Sequence, residues 1–319
     1  MMLLAQNFWW LFPFDRRHLG FSRYGLFTWL TARGHLGARR RYRVGLLSGG
    51  TRFPNIIDLH LFWLNEKCTE VQFALNPDAA SVDLLWIYSQ DPLTAAAHAE
   101  ISRIAAGARP GTPVINGPAA YDFFHRADAF PMLAAAGVPV PRWAFDDRDR
   151  GIPVIWKGLG TQSKTFGPEL YAGDREGYQP FEFIDTRGSD GLYVRYRAFY
   201  LLGEVFFSSA FRSRSPIVRY DNTTSIERGW HMSEDLVRHV RTIAEVSGLD
   251  FFAADFVRRN DQGPPIFTDI NVFPMLKDKD RARRRFGHGH DFDNLRPASG
   301  AATPWQVLEK AIVAAAGQR

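Results

Sequence analysis

Near the end of the chain two apolar runs, FFAADFVRR and IFTDINVFP, carry acidic side chains in their middles, and the turn-rich stretch RRNDQGPP leads from one to the other. Phe, Ile and Val flanking the polar residues mark both runs as strands, and the Asn, Gly and prolines between them make a hairpin the economical connection. A hairpin sets Asp255 beside the second strand, where Asp269 and Asn271, two residues apart, leave the same face. Three oxygen donors on neighbouring strands suit Mg²⁺, which takes a few carboxylate or amide oxygens and completes its shell with phosphate. The alternative reading places these groups at exposed strand edges.

The rest of the chain reads as alternating strands and helices. YRVGLLSGG and VDLLWIYS are apolar strands, PLTAAAHAEISRIAAGA is an Ala-rich amphipathic helix closed by glycines, and TPVINGP is a further strand. Strands apolar on both faces and alternating with helices predict a small parallel sheet within residues 1–118. Next, AYDFFHRADAFPMLAAAGVPVPRWAF predicts one helix ending at Gly137, then two prolines and a strand beginning near Arg142. IPVIWKGLG and TFGPELYA predict two strands around the polar turn GTQSK, PFEFID a third, and LYVRYRAFYLLGEVFFSSAF a long hairpin. SEDLVRHVRTIAEVSGLD predicts a helix capped by Ser233 and stopped by Gly248, and PWQVLEKAIVAAAG a last helix.

Composition narrows the class. With 319 residues, 45% of them hydrophobic and 23% charged, the chain matches a soluble globular protein, and its one cysteine, Cys68, excludes an internal disulfide and a multi-cysteine metal site. A reducing compartment, the cytoplasm, is the default expectation. The aromatic start NFWWLFPF is broken at once by Asp15, Arg16 and Arg17, so neither a membrane-spanning helix nor a signal peptide is expected. That segment, with Trp9 and Trp10, reads as a docking or core element, and membrane-surface contact is the minority alternative. The net charge of +5 gathers in RGHLGARRRYR and KDKDRARRRFGHGH. No recognition-helix or aromatic ribonucleoprotein pattern accompanies them, so nucleic acid is a weak expectation; the first cluster reads as solvated charge, and the second, directly after IFTDINVFP, as a contact for a phosphate or carboxylate. His288 and His290 read as an exposed loop, because no further spaced ligands accompany them.

Lys157, at the end of the apolar strand IPVIWK, is costly to bury without an anion. A phosphate beside it would stabilise the charge, whereas the plain alternative is that it reaches to solvent. The following loop, with Gly158, Gly160, Thr161, Ser163, Lys164 and Gly167, offers amides, hydroxyls and a cation to a triphosphate. A simple polar turn is the rival reading.

Taken in order, these segments resemble the ATP-grasp superfamily over roughly residues 112–276. VINGPAAYDFFHRADAFPMLAAAGVPVPRW resembles its entry helix, IPVIWKGLG its lysine-bearing strand, and FEFI its adenine-contacting hinge; VRYRAFYLLGEVF resembles its arginine strand and DINVFP its metal strand. The resemblance implies an α/β ATP-grasp fold: an N-terminal parallel domain over 1–118, a small lid subdomain over 119–185 and a metal-bearing subdomain over 186–319. It implies ATP contacts from Arg126, Lys157, Gly160, Thr161, Ser163, Lys164, Glu182, Phe183, Ile184 and Asp190, and catalytic roles for Lys157 and Arg197. It further implies two Mg²⁺ ions on Asp255, Asp269 and Asn271, and a possible homo-oligomer. Two positions depart from the pattern. The entry helix usually offers a lysine where this chain has His125 and Arg126, of which only Arg126 is a permanent cation. Asp269 stands where glutamate is more usual.

The branch implied is the carboxylate–amine ligases, similar to those that add glutamate to a ribosomal protein, with a carboxylate, small or peptidic, activated as an acyl phosphate and captured by an amine. The alternative is a small-molecule kinase, because DINVFP also resembles the inositol polyphosphate kinases and the basic run after it would suit an anionic polyol. A non-catalytic nucleotide-binding module is the third reading. Arg212, Arg214, Arg219 and Asn222, between the long hairpin and the capped helix, are candidates for the acceptor side.

Overall fold

The computed structural model describes residues 41–49, 60–61, 64–65, 67–161, 164–165, 167–219, 221–228, 232–274, 295–298 and 303–317. Strands β1 (Tyr42–Leu47), β2 (Val71–Leu75), β3 (Leu84–Ile87) and β4 (Val114–Ile115) form a parallel sheet in the order β2-β1-β3-β4. All four residues of β3 are buried, as an apolar run covered on both faces requires. Helix α1 (Ala95–Ala106), capped by the Thr94 hydroxyl, lays Ala97 and Ile101 into one core cluster with Leu47, Leu85 and Ile87. The last helix (Pro304–Gly317) closes the other face, where Leu308, Ile312 and Ala316, spaced by four, join Tyr42, Val44 and Leu46. The C-terminal end of the chain is thus packed on its first sheet.

The expected single entry helix is instead broken into α2 (Pro118–Tyr121), a 3-10 turn at Phe123–His125 and α3 (Ala129–Ala135). Pro131 supplies the reason: it fits in the first turn of α3, whereas a continuous helix would place it in the interior, lacking an N–H and clashing with the preceding turn. No strand forms near Arg142 either. Pro139 and Pro141 cannot donate to a ladder, and the segment is held by single bonds, Phe267 N–H to Pro139 O and Glu182 N–H to Arg142 O, each at 2.8 Å.

Strands β5 (Pro153–Gly158), β6 (Glu169–Leu170) and β7 (Tyr178–Glu182) form a small antiparallel sheet, ordered β6-β5-β7. The largest sheet holds β8 (Tyr193–Leu201), β9 (Glu204–Ser213), β10 (Ser225–Arg228), β11 (Phe251–Val257) and β12 (Ile266–Asn271) in the order β10-β9-β8-β11-β12, with β13 (Arg296–Pro297) beside β9. The β8–β9 hairpin turns through Leu202 and Gly203, both with positive φ, as a two-residue turn demands. Helix α4 (Glu234–Ser247) begins at Ser233, whose hydroxyl accepts from the Leu236 amide, and ends at Gly248 in the left-handed conformation with φ of 69°. The Pro304–Gly317 helix is therefore α5.

Period-two alternation assigns the two faces of the large sheet. Val194, Tyr196, Ala198, Phe252, Ala254 and Phe256 share a cluster with Leu236, Val240 and Ile243 of α4. On the other face Leu201, Phe199, Phe251 and Ala253 share a cluster with Trp86 and Tyr88 of the parallel sheet. Following that second face along β8 and β11 replaces these apolar residues by Arg197, Arg195 and Asp255.

Candidate functional site

Asp255 lies opposite Arg197 of β8 on one side and Asp269 of β12 on the other, so three charged side chains stand in a row across three strands. Arg197 grips the carboxylate with both arms, Nε to Oδ1 at 2.6 Å and Nη2 to Oδ2 at 2.9 Å. Arg195, two residues earlier on the same face, donates its Nη1 to Oδ2 as well and lies over the Phe211 ring, 4.9 Å from its centroid. Sequence reasoning singled out Arg197 alone; the period of two that selects it selects Arg195 equally. Only 9% of the Arg197 side chain and 4% of that of Asp255 is exposed, so the pair is a buried charge cluster. Burial works against ionised Asp255, yet the two guanidiniums hold its carboxyl well below the usual range.

A bulge in β12 shapes the next part. The β11–β12 register shifts so that Asp255 faces Asp269 while Phe256 faces Phe267, leaving Thr268 as the extra residue. The shift sends Phe267 and Ile270 into the α4 core and Asp269 and Asn271 to the charged face. The Thr268 carbonyl accepts a hydrogen bond from Lys157 Nζ, which joins the small sheet to the large one. Around that ammonium stand the rings of Phe124, Phe181 and Phe130, with centroids at 4.9, 5.2 and 5.4 Å. Burial among them pushes the Lys157 pKa down to about 8, against the pull of Asp269 and Asp255. Lys164, from the glycine-containing loop, approaches Asp269 Oδ2 at 3.7 Å. Burial opposes the Asp269 charge, but the Lys157 and Lys164 ammoniums hold its carboxyl below the ordinary value.

No family model and no curated protein matches the sequence. Solved structures do. The ATP-grasp ligase PsnB, complexed with precursor peptide PsnA2 and AMPPNP, is 16% identical, with a TM-score of 0.56 over 88% of this chain and 99% of its own. The fold is that of the ATP-grasp ligases. The D-alanyl-alanine synthetase A of Vibrio cholerae O1 biovar eltor str. N16961 is 11% identical with the same TM-score of 0.56, covering 88% of this chain and 100% of its own. PsnB with minimal precursor, Mg and ADP is 15% identical, with a TM-score of 0.54 over 86% of this chain and 98% of its own. The parallel sheet followed by two antiparallel sheets is the arrangement expected of an ATP-grasp chain.

Within this ATP-grasp frame the expected residues divide. Lys157, Lys164, Arg197, Asp255, Asp269 and Asn271 are brought together, and Gly160, with φ of 63°, and Thr161 lie on the loop that follows Lys157. Ser163 falls outside the described residues, as do the basic run at 277–290, His288, His290 and the aromatic N-terminal segment. Glu182, Phe183 and Ile184 end β7 and lead out of it; the Glu182 carboxylate accepts from Arg259 Nη2 at 2.5 Å, and Ile184 is buried. Arg126 is directed elsewhere: it pairs with Asp128 at 3.3 Å and lies over the Phe123 ring. Its neighbour His125 turns inward instead, to Asp91 at 3.1 Å. Asp190 is exposed and tied to Arg212 at 3.4 Å, in a cluster with Glu227 and Asp261. Arg212 is opposite Val194 in the β8–β9 register, so this cluster belongs to the face away from Asp255. Arg219 pairs with Asp221 at 2.6 Å, and the Asn222 side chain braces the same loop through Ser213 and Ile217.

The donors present fit a divalent cation. Asp269 is 35% exposed, and its one ion pair among the described residues is the 3.7 Å approach of Lys164. Asn271 Oδ1 accepts from the Phe273 amide at 2.9 Å and keeps a second lone pair. Asp255 is already engaged by two arginines. Among the described residues no group of three His, Cys, Asp or Glu side chains forms a metal cage. No described helix is long and apolar enough to cross a membrane.

Proposed function

We propose that this chain is an ATP-dependent carboxylate–amine ligase, working through an acyl phosphate. The observation that carries the reading is the convergence of Lys157 from the small sheet with Arg197, Asp255 and Asp269 of the large one, a set of cations and carboxylates suited to a triphosphate and its metal. Solved ATP-grasp ligases of the same fold, one holding AMPPNP and a precursor peptide, support it.

In this reading the base of ATP lies by the end of β7, at Glu182, Phe183 and Ile184, and the phosphates lie between Lys157, Lys164 and the loop around Gly160 and Thr161. Lys157 neutralises phosphate charge from a half-buried position, where an ion pair is stronger than in water. Asp269 and Asn271 would hold Mg²⁺, with Asp255 behind them, and the ion would supply neutralisation of the phosphoryl oxygens. Arg197, fixed by Asp255, presents a guanidinium whose remaining N–H groups meet the acyl phosphate oxygens. Positioning and charge neutralisation are the protein's main contributions to such a transfer. The carboxylate substrate is a small acid or the side chain of a peptide, and the acceptor is an amine.

Hydroxylamine trapping tests the proposal. Purified protein with MgATP, a panel of the common amino acids and hydroxylamine is expected to yield a hydroxamate with stoichiometric ADP and free phosphate. Transfer of the γ-phosphoryl group to a hydroxyl acceptor, without free phosphate, would replace the ligase reading by the kinase one.

A further inference from the structure

The parallel sheet ends, at the carboxyl ends of β1 and β3, in polar residues that the nucleotide site does not use. Ser48, Gly49, Ser89 and Asp91 follow these strands, and ligands of open parallel sheets bind at that edge. Asp91 is buried and receives His125 Nε2 at 3.1 Å, with 14% of the histidine side chain and 8% of that of Asp91 exposed. His125 belongs to the 3-10 turn that packs on β12, and its neighbour Phe124 touches the Lys157 ammonium. The imidazole therefore stands between the carboxyl edge of the first sheet and β12. Its other ring nitrogen, Nδ1, has no hydrogen-bond partner among the described residues.

We infer that His125, oriented by Asp91, is the general base that deprotonates the amine substrate. The assignment rests on the ligase reading above. Donation of Nε2–H to Asp91 fixes the tautomer in which Nδ1 is an acceptor, the arrangement of a histidine base held by a carboxylate. An amine arrives at neutral pH as an ammonium ion and cannot attack. One of its protons passes to Nδ1; the freed lone pair forms the C–N bond, the C–O bond to phosphate breaks with its electron pair leaving on the phosphate, and the second nitrogen proton leaves with that phosphate. Products are amide, inorganic phosphate and protonated His125, which returns its proton to solvent. Burial works against the imidazolium, but the hydrogen bond to Asp91 and the Asp91 charge stabilise it and raise the histidine pKa. His125 is then a catalytic residue and Asp91 a positioning residue.

The test compares nucleophiles. Hydroxylamine is unprotonated at neutral pH and needs no base, whereas methylamine, glycinamide and free amino acids do. For His125→Gln, amide formation from these amines is expected to fall about 100-fold or more, while hydroxamate formation from the same carboxylate stays within a few-fold of wild type. Asp91→Asn, which keeps the shape and removes the charge, is expected to show the same selective loss to a smaller degree. Equal losses with both nucleophiles, no loss with either, or a wild type that makes hydroxamate but no amide would overturn the assignment while leaving the ligase reading standing. A wild type that makes no hydroxamate with any carboxylate of the panel would overturn the ligase reading itself, and the role of His125 with it.

Discussion

Alkaline pH perturbs Lys157 selectively, because burial beneath three phenylalanine rings has brought its pKa down to about 8. At pH 7 about nine-tenths of the free protein carries the ammonium, and at pH 9 about one-tenth does. A triphosphate at that ammonium favours the charged form and returns the pKa toward its ordinary range. The sign follows: binding takes up a proton wherever the free lysine is neutral, so ATP affinity falls as pH rises above 8. The expected loss is about ten-fold between pH 7 and pH 9, with uptake of about half a proton per ATP bound at pH 8.

Calorimetry in two buffers of different ionisation enthalpy measures that uptake directly. Lys157→Arg supplies the control, since arginine stays charged throughout the range; its ATP affinity should be flat from pH 7 to pH 9 and its proton uptake near zero. An equal fall in affinity with pH in wild type and in Lys157→Arg would show that another group titrates. Proton uptake near zero in wild-type protein that binds ATP tightly would mean that the phosphates do not reach Lys157, and would remove it from the site.

Three further outcomes follow from the same geometry. Arg197→Ala leaves Asp255 buried with only Arg195 beside it and should cost about 3–5 kcal/mol in urea denaturation, whereas Arg195→Ala should cost less, because Arg197 still spans both oxygens. Asp269→Ala removes the one exposed carboxylate of the charged row; ATP affinity measured with and without Mg²⁺ should lose its metal dependence, and an unchanged Mg²⁺ effect would place the ion elsewhere. Gly248→Ala forces an L side chain into the left-handed stop of α4 and should lower stability by about 1 kcal/mol, read as a shift in the denaturation midpoint.

The sequence made the charged row legible because its members follow period two on strands whose other residues are apolar. Asp255, Asp269, Asn271 and Arg197 are polar intrusions into runs of Phe, Ile, Val and Ala, and such intrusions are costly unless something compensates. Arg195 obeyed the same rule but was overshadowed by the motif that points to Arg197. The Thr268 bulge was not legible, since an extra residue in a ladder depends on the partner strand's register. Without it the carbonyl that receives Lys157 would be engaged in the ladder.

The entry segment went the other way, and there the departure from expectation bears on function. A continuous helix through residues 120–136 would send neighbouring side chains about 100° apart around one axis, and it makes Arg126 the natural cation for the phosphates. Pro131 forbids that helix, and the chain takes a 3-10 turn at Phe123–His125 before α3 begins. The turn delivers Phe124 to Lys157 and His125 to Asp91, while Arg126 is left at the surface against Asp128. A proline read locally as a tolerated first-turn residue thus decides which of two adjacent basic side chains turns inward. The one turned inward is the histidine, held by a buried carboxylate, while the permanent cation is spent on a surface pair with Asp128.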